Sequence, residues 1–300
     1  MHGRRWWWGA AVGAGLGFAA PVARGQESFL TDAATLPAPG RFVLREMGIY
    51  RGFGRDDSGL GRRGYAVFSH TTLQYGLAPE WSLTLDVPVS YRDYRIRPEL
   101  EAPQDHHHAG SISDAARRSY RVTDVAVDDF TLTAKYRFLR LDTGPLDTLR
   151  AAVIFGVELP SGSVESSDSV DPVLGLAVTT IRGRHGLNVA ASYKWSTGGT
   201  GYPLLAGEGR PDLLRVGGSY LYRLHPVAFS TEHRAGLYAV IESINLYETS
   251  GDVEMLLAPG LMYEAPGFAV EVSVGFPVYQ RLERRPRTDV MLGVGVRFIW

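Results

Sequence analysis

The chain has 300 residues, a formal net charge of −1 and no cysteine. The near-neutral charge gives no reason to expect a nucleic-acid partner, and the lack of cysteine excludes disulfides, thiolate metal sites and thiol chemistry. Hydrophobic residues make up 45% of the chain. No stretch after residue 25 is apolar for about 18 residues, so a bundle of membrane-spanning helices is excluded. The 35 glycines and 15 tyrosines favour β structure with many turns.

Residues 1–25 predict a secretory signal peptide. Two arginines at positions 4 and 5 precede an apolar run, and the small residues Ala23 and Gly25 suit a peptidase cut after Gly25. An N-terminal membrane anchor is the alternative, although the run is short for a span of about 20 residues. The sequence therefore predicts an exported chain that begins at Gln26.

From residue 41 onward, apolar and polar residues alternate along one segment after another. In FTLTAKYRF the apolar phase runs from Phe130 to Phe138, and the opposite phase carries Thr131, Thr133 and Lys135. Such alternation predicts strands with one apolar and one polar face. We expect about twelve strands of roughly 10–15 residues, near 41–50, 65–76, 81–92, 126–140, 149–160, 172–182, 187–196, 212–223, 234–245, 253–264, 267–279 and 289–300.

The connections between these strands alternate in length. Tight turns such as 76–80 and 182–186 are separated by longer polar loops such as 93–125 and 197–211. This asymmetry is typical of outer-membrane barrels, and aromatic residues on the apolar phase fall near both strand ends, as interfacial anchoring requires. The sequence therefore predicts an all-β fold: a transmembrane antiparallel up-and-down β-barrel of about 12 strands with both termini periplasmic.

The predicted domain organisation has three parts. A signal peptide at 1–25 is followed by a periplasmic N-terminal segment at 26–40 and an outer-membrane β-barrel at 41–300. A soluble periplasmic β-sandwich or lipocalin-like barrel is the alternative, because it also alternates. Its apolar phase would form an inner core, and shorter strands would be expected.

The last predicted strand ends on aromatic residues at the end of the sequence. A terminal aromatic preceded by alternate apolar residues resembles the C-terminal signal that the outer-membrane insertion machinery reads on bacterial barrels. The resemblance implies that this machinery is a partner of the last strand. The residues that carry it are Val290, Leu292, Val294, Val296, Phe298 and Trp300.

Three stretches resemble one family of outer-membrane proteins: YGLAPEWSLTLDVPV (75–89), DDFTLTAKYRF (128–138) and VELPSGS (157–163). The family has a similar turn into a strand with a late proline, then an AKYR strand, then an apolar-PTG segment. Here Asp128 stands in place of the family's glycine, and Ser161 replaces its threonine. The sequence is thus similar to the MetA-pathway phenol-degradation family, whose members are also labelled transporters. The resemblance implies a barrel and the passage of small molecules, aromatic ones among them, with no catalytic residues to carry over.

The polar phase of the predicted strands carries charges of both signs. These charges can pair across strands in a narrow interior, or they can line a water-filled path. On the second reading, Lys135, Arg137 and Arg150 in the lower part favour anions. The residues predicted to line the lumen are Asp86, Lys135, Arg137, Arg150, Glu158, Lys194, Arg215, Glu254, Glu271 and Arg297.

The predicted outer loops are rich in arginine, for example Arg62, Arg121 and Arg287. Guanidinium groups bind phosphate in a bidentate manner, so lipopolysaccharide is a candidate partner beside the outer-membrane lipid. Ordinary solvated loops, neutralised by nearby acids, are the alternative.

The histidines and serines do not predict a catalytic or metal site. His106, His107 and His108 are consecutive in a loop, and this spacing does not build a fixed tetrahedral metal site. Ser69 and His70 are neighbours on a strand and point to opposite faces, so they cannot form a nucleophile–base pair. We therefore predict no enzyme activity, no metal and no cofactor.

One ion pair is predicted inside the last hairpin. If Tyr279 and Asp289 face each other across the loop, Glu271 and Arg297 are also opposed and meet in the lumen. A bulge at Pro277 would shift this register.

The expected function is a passive outer-membrane channel or transporter for small solutes, with aromatic and anionic molecules as candidates. One alternative is a plugged structural or adhesive surface barrel that acts through its loops. An outer-membrane enzyme is the least favoured, because no nucleophile and base share a face.

Overall fold

The computed structural model describes residues 26–97, 119–144, 146–162, 168–198, 211–229 and 234–300. Within these ranges the chain forms thirteen β-strands, and it has no helix long and apolar enough to cross a bilayer. The strands are β1 Phe42–Phe53, β2 Arg63–Ala78, β3 Trp81–Ile96, β4 Tyr120–Val127, β5 Phe130–Asp142, β6 Thr148–Leu159, β7 Asp171–Arg182, β8 His185–Lys194, β9 Leu213–His225, β10 Gly236–Glu248, β11 Val253–Ala265, β12 Phe268–Arg281 and β13 Thr288–Ile299.

The strands form one closed antiparallel sheet. Strands that follow each other along the chain are paired, and β1 closes the ring because it pairs with both β2 and β13. β4 and β5 share one position in the ring, since β3 pairs with β5 over Trp81–Asp86 and with β4 over Val89–Ile96. The described strands therefore occupy twelve positions, which confirms the predicted all-β antiparallel barrel of about twelve strands. The periplasmic position of both termini stays a prediction.

The strand predicted at 126–140 is longer than expected and is interrupted. It extends from Tyr120 to Asp142, and Asp128 and Asp129 separate its two halves. The N–H of Asp128 donates to the carbonyl of Pro88 at 3.0 Å, so the contact with β3 continues across the break. Pro88 has no N–H of its own and cannot donate to the ladder at this point.

The two faces of the barrel wall have opposite polarity. Leu132 on β5, Leu176 on β7 and Val294 on β13 lie on the outer face and are 44%, 51% and 54% exposed. Lys135 and Arg297, on the opposite phase of β5 and β13, are buried inside. A soluble sandwich would bury the apolar phase, so the soluble alternative is wrong and the outer face is the lipid-facing one.

Aromatic side chains gather on the outer face at both ends of the wall. Near the short turns, the ring of Phe42 lies 4.7 Å from that of Tyr75 and 6.0 Å from that of Trp300, between centroids. Near the long loops, the rings of Tyr50 and Tyr65 are 5.6 Å apart. Rings of this kind lie at the two interfaces of a bilayer, where an apolar body and a polar edge are both accommodated.

The predicted pairing of Glu271 with Arg297 across the last hairpin is wrong. β12 and β13 are two residues out of the predicted register, and Glu271 faces Gly295. The ladder between them ends at Gly275, two residues before Pro277, which cannot donate a ladder hydrogen bond. A shift of two residues keeps each side chain on its predicted face, so the assignment of inner and outer phases is unaffected.

Candidate functional site: the lumen and the segment inside it

The chain before the first strand runs through the interior of the barrel. Asn188 on β8 donates from Nδ2 to the carbonyl of Gln26 at 3.0 Å, which places one end of this segment at β8. The carbonyl of Ala38 lies against Gly76 on β2, which places the other end across the lumen. We call residues 26–38 the lumenal segment.

Side chains of the barrel wall hold the backbone of the lumenal segment. The N–H of Leu30 donates to both carboxylate oxygens of Glu242 on β10, at 3.1 and 3.2 Å. The carbonyl of Leu30 accepts from Nη2 of Arg215 at 2.7 Å, and the carbonyl of Ala33 accepts from Nζ of Lys135 at 2.8 Å. These backbone groups have no strand partner, and the polar phase of the wall satisfies them.

Charge also fixes the lumenal segment. Glu27 forms ion pairs with Arg45 on β1 and with Arg297 on β13, where Nη1 lies 3.0 Å from Oε2. Nη2 of the same Arg297 donates to Oε1 of Glu264 on β11 at 2.5 Å. A partly desolvated carboxylate needs charged partners nearby, so Glu27 specifies where the segment lies.

Glycines on the inner face of the wall make room for the segment. A Cβ at Gly295 would lie 2.4 Å from Cδ1 of Phe29, and a Cβ at Gly186 would lie 2.4 Å from Oε1 of Gln26. Both distances are far below van der Waals contact, so a side chain at either position would force the side chain of Phe29 or Gln26 to move. The sequence of the wall is therefore matched to the segment that it encloses.

The ten charged residues predicted to line the lumen lie on inward-facing strand positions. Among the described ion pairs, one joins two of them: Nζ of Lys194 lies 2.7 Å from Oε1 of Glu158. Most of the others contact residues outside this set of ten. Asp86, for example, accepts from Thr72 Oγ1 at 2.8 Å and lies 3.3 Å from Nδ1 of His70.

A charged cluster lies near the long-loop end of the lumen. Glu254 is fully buried, and its carboxylate contacts Arg51 at 3.0 Å, Arg285 at 3.1 Å and the hydroxyl of Thr288 at 2.6 Å. Arg215 also points inward but is exposed to solvent. The lumen is therefore accessible to water at the level of Arg215, although the lumenal segment fills part of its cross-section.

Three cations lie together towards the short-turn end, on β5 and β6. Nη2 of Arg137 donates to the carbonyl of Pro79 at 2.5 Å, and Nε of Arg150 donates to Thr148 Oγ1 at 3.1 Å. The third, Lys135, bonds the carbonyl of Ala33 in the lumenal segment. Lys135 also lies 3.7 Å from Oδ1 of Asp32, and Arg150 lies 3.9 Å from Oδ1 of Asp142. Three cations therefore face two acids, and this end of the lumen keeps an excess of positive charge.

Sequence reasoning missed four residues of the network that fixes the lumenal segment: Glu27 of the segment, Arg45 and Glu242 that contact the segment, and Glu264 that pairs with Arg297. Glu242 had a signal, since it interrupts an otherwise apolar inward phase between Val240 and Ile244. Glu27 had none, because the segment 26–40 has no strand periodicity and was predicted as a separate part of the chain. The lumenal segment is enclosed through contacts with strands that are far away in the sequence.

Ser69 and His70 do not form a nucleophile–base pair in the structure. Ser69 points outward and donates to Glu46, whereas His70 points inward to Asp86, so the two lie on opposite faces of β2. The His106–His108 run lies outside the described residues. Across the described ranges, no group of three metal-binding side chains comes together.

The last strand ends with aromatic side chains on the outer face, and an acid binds one arginine of the outer loops. Phe298 and Trp300 are 48% and 52% exposed on the outer face. In the loop between β1 and β2, Arg62 is buried and its Nε donates to Asp56 Oδ2 at 2.7 Å. The guanidinium of Arg62, a candidate phosphate ligand, is thus already paired with the carboxylate of Asp56.

Comparison with solved structures identifies the fold. The COG4313 outer membrane channel from Pseudomonas putida F1 is 12% identical, with a TM-score of 0.53 over 91% of this chain and 100% of that chain. The CymD monoaromatic hydrocarbon channel is 9% identical, with a TM-score of 0.44 over 88% of this chain and 89% of that chain. The KdgM porin in complex with disordered oligogalacturonate is 13% identical, with a TM-score of 0.42 over 86% and 98%. This chain has the fold of outer-membrane channel barrels.

No family model matches the sequence, and no curated protein matches it. At these identities, the likeness to solved structures establishes the fold and leaves function to be argued from the lumen.

Proposed function

We propose that this protein is a passive channel of the bacterial outer membrane that admits small solutes through a lumen narrowed by residues 26–38. The observation that carries the proposal is the lumenal segment itself. It crosses the interior from β8 to β2, while Arg215 beside it stays exposed to water. A closed barrel with a polar, hydrated interior and a segment bound inside it suits restricted diffusion of small molecules.

Anionic solutes are the favoured class. Lys135, Arg137 and Arg150 give the short-turn end of the lumen an excess of positive charge, because these three cations outnumber the two acids, Asp32 and Asp142, that pair with them. Cations that line a narrow path attract anions and repel cations through a low-dielectric wall. Aromatic solutes are the second candidate class, and they rest on the sequence resemblance to the MetA-pathway phenol-degradation family.

Single-channel recording in planar bilayers tests the proposal. The full-length mature protein is expected to give small conductance steps. A variant in which residues 27–35 are replaced by an equal length of Gly and Ser is expected to give larger steps, since it loses the contacts of Glu27 and Leu30. Silence from both proteins would contradict a channel and favour the plugged structural or adhesive barrel.

Ion selectivity is tested with the same preparation. Reversal potentials in a salt gradient are expected to show anion preference, and Arg137→Gln with Arg150→Gln is expected to reduce it. Arg182→Gln is the matched control, because Arg182 is an exposed arginine near the same short-turn end but on the outer face. An equal effect of the control would show that the lumenal cations do not set selectivity.

Four further proposals concern export, orientation, assembly and lipopolysaccharide binding. Residues 1–25 are removed as a signal peptide, and both termini face the periplasm. The insertion machinery reads the outward phase of β13 that ends at Phe298 and Trp300, which are exposed as that role requires. Lipopolysaccharide phosphates bind exposed loop arginines such as Arg281.

A further inference from the structure

Glu46 lies on the lipid-facing surface of the barrel. It pairs with Thr71 on β2 and with Val296 on β13, and all three belong to the outward phase of their strands. On the same outward phase of β1, Phe42 is four residues below Glu46 and Tyr50 is four residues above. At about 3.3 Å per residue, each is about 13 Å away along the strand.

Phe42 and Tyr50 mark the two interfaces, so Glu46 lies near the middle of the hydrocarbon layer. Phe42 belongs to the aromatic cluster at the short-turn end, and Tyr50 belongs to the cluster at the long-loop end. An ionisable side chain at this depth is costly, and such residues in membrane proteins usually mark a functional contact. The position of Glu46 therefore requires an explanation beyond strand pairing.

Two hydroxyl groups support Glu46 from the neighbouring strand. Ser69 donates to Oε1, and Thr71 donates from Oγ1 to Oε2 at 2.5 Å. Each hydroxyl has a single hydrogen and uses it in this contact, so its lone pairs remain free to accept a hydrogen bond. Glu46, Ser69 and Thr71 thus form a polar group within an apolar surface. Its oxygens can accept hydrogen bonds, and its carboxylate can also bind a proton.

At the level of this group and towards the long loops, the outer surface is built from glycine and valine. A Cβ at Gly48 would meet only the carbonyl of Val294, at 3.9 Å, so the space outside Gly48 is open. Val67 on β2 and Val87 on β3 continue the surface next to Ser69 and Thr71. Small residues that allow close approach, with polar side chains that hydrogen-bond across the contact, characterise the packing of transmembrane helices, and the same packing argument applies to two barrel walls. We call Glu46, Gly48, Ser69 and Thr71 the outer polar patch.

We propose that the outer polar patch is the contact surface for a second copy of this chain, with Glu46 of the two copies facing each other across a two-fold axis. A two-fold contact requires a surface that is complementary to itself. The patch meets this requirement because a carboxyl group that shares a proton with its counterpart is both donor and acceptor. Gly48 and the valines let the two walls approach closely enough for that hydrogen bond.

A second polar site on the outer face serves as a contrast. Asn245 on β10 donates from Nδ2 to the carbonyl of Val216 at 3.0 Å and to Ser243 Oγ at 2.9 Å. This side chain is neutral, and its two hydrogens are bound within the barrel. It therefore gives no reason to expect a partner, and the wall at β9 and β10 is the natural control surface.

Cysteine cross-linking in the outer membrane of intact cells tests the proposal, and the chain offers a clean background because it has no cysteine. Gly48→Cys places a thiol in the outer polar patch. Gly218→Cys on β9 is the matched control, since it also faces outward and a Cβ there meets nothing within 4 Å. Mild oxidation is followed by gel electrophoresis and by mass spectrometry of the product.

The expected result is a disulfide-linked species of twice the monomer mass from Gly48→Cys and none from Gly218→Cys. Adding Glu46→Leu to Gly48→Cys is expected to reduce cross-linking at least tenfold, while heat-modifiable mobility on gels reports that the barrel still folds. No cross-link at Gly48, or equal cross-linking at both positions, would overturn the proposal. A product that contains a different protein would also overturn it, because the patch would then serve another partner.

A measurement of conductance separates this inference from the proposed function. Glu46 lies outside the lumen, so Glu46→Leu is expected to leave the conductance of each barrel unchanged. Loss of cross-linking with unchanged conductance supports the contact surface whether or not the solute assignment is correct.

Discussion

Arg297 on the last strand donates from Nη2 to Oε1 of Glu264 on β11 at 2.5 Å, and its Nη1 lies 3.0 Å from Oε2 of Glu27. The guanidinium of Arg297 thereby links β13, β11 and the lumenal segment. Arg297 is 2% exposed, so these two carboxylates compensate the cost of burying its positive charge.

Arg297→Met is expected to destabilise the barrel by about 3–5 kcal/mol, since it removes the cation that pairs with two carboxylates, those of Glu264 and Glu27, inside the barrel. The measurement is unfolding in urea after refolding into lipid vesicles. Glu264→Gln in the same chain is expected to restore part of the loss, with a coupling of about 0.5–3 kcal/mol. Coupling near zero in this double-mutant cycle would mean that the contact does not contribute.

The assignment of the two faces is tested by a pair of adjacent substitutions on β5. Leu132→Arg places a charge on the outer face and is expected to cost about 2–4 kcal/mol, because that face contacts lipid. Thr131→Arg is expected to cost much less, since Thr131 pairs with Asp86 and Glu158 on the inward phase. The measurement is the folding yield in vesicles, and equal yields for the two variants would contradict the assignment.

Release of the lumenal segment is tested at Glu242. Glu242→Leu removes the carboxylate that accepts from the N–H of Leu30, so the segment is expected to loosen and single-channel conductance to rise. Glu242→Gln keeps one acceptor oxygen and is expected to change conductance less. If the two variants behave alike, the hydrogen bond to Leu30 does not hold the segment.

The loop between β1 and β2 is expected to open in acid. Burial raises the pKa of Asp56, but hydrogen bonds from Arg62 and Ser58 outweigh burial and hold that pKa below its ordinary value of 3.8. The stabilisation is therefore fully present above 3.8 and is lost as the pH falls through the lower pKa of the folded protein. Hydrogen-exchange protection of residues 54–62 is expected to decline in that range.

Two variants check this assignment of the acid effect. Asp56→Asn is expected to lower protection of the same loop at neutral pH, because the buried Arg62 loses its carboxylate. Asp57→Asn, in a more exposed pair with Arg55, is the control and is expected to have a small effect. Protection that stays constant from neutral pH to pH values well below 3.8 would show that Asp56 does not close the loop.

Export is tested by the mass of the mature chain. Membrane-fraction protein is expected to begin at or within a few residues of Gln26, because the tripartite pattern of residues 1–25 suits a signal peptidase. A retained Met1 in the folded protein would contradict the prediction.

The strand pattern and the two faces of the wall followed from the sequence alone. A period of two is imposed by the pleat of each strand, so Leu132 and Lys135 were assigned to opposite faces without knowledge of their neighbours. Most predicted strands agree closely with the observed ones. The differences lie near prolines: Pro88 accompanies the break between β4 and β5, and Pro277 lies beyond the last recorded β12–β13 pair.

The occupant of the lumen and the partners of the lumenal charges were decided by the tertiary structure. Closure of the ring brings Arg45, Glu264 and Arg297 to one place, and Glu27 binds there although its own segment has no periodic pattern. Pair identities also depend on register, and a hairpin that slips by two residues keeps its faces while it exchanges every partner. Local alternation therefore determined which way each side chain points, and only closure of the barrel determined what it meets.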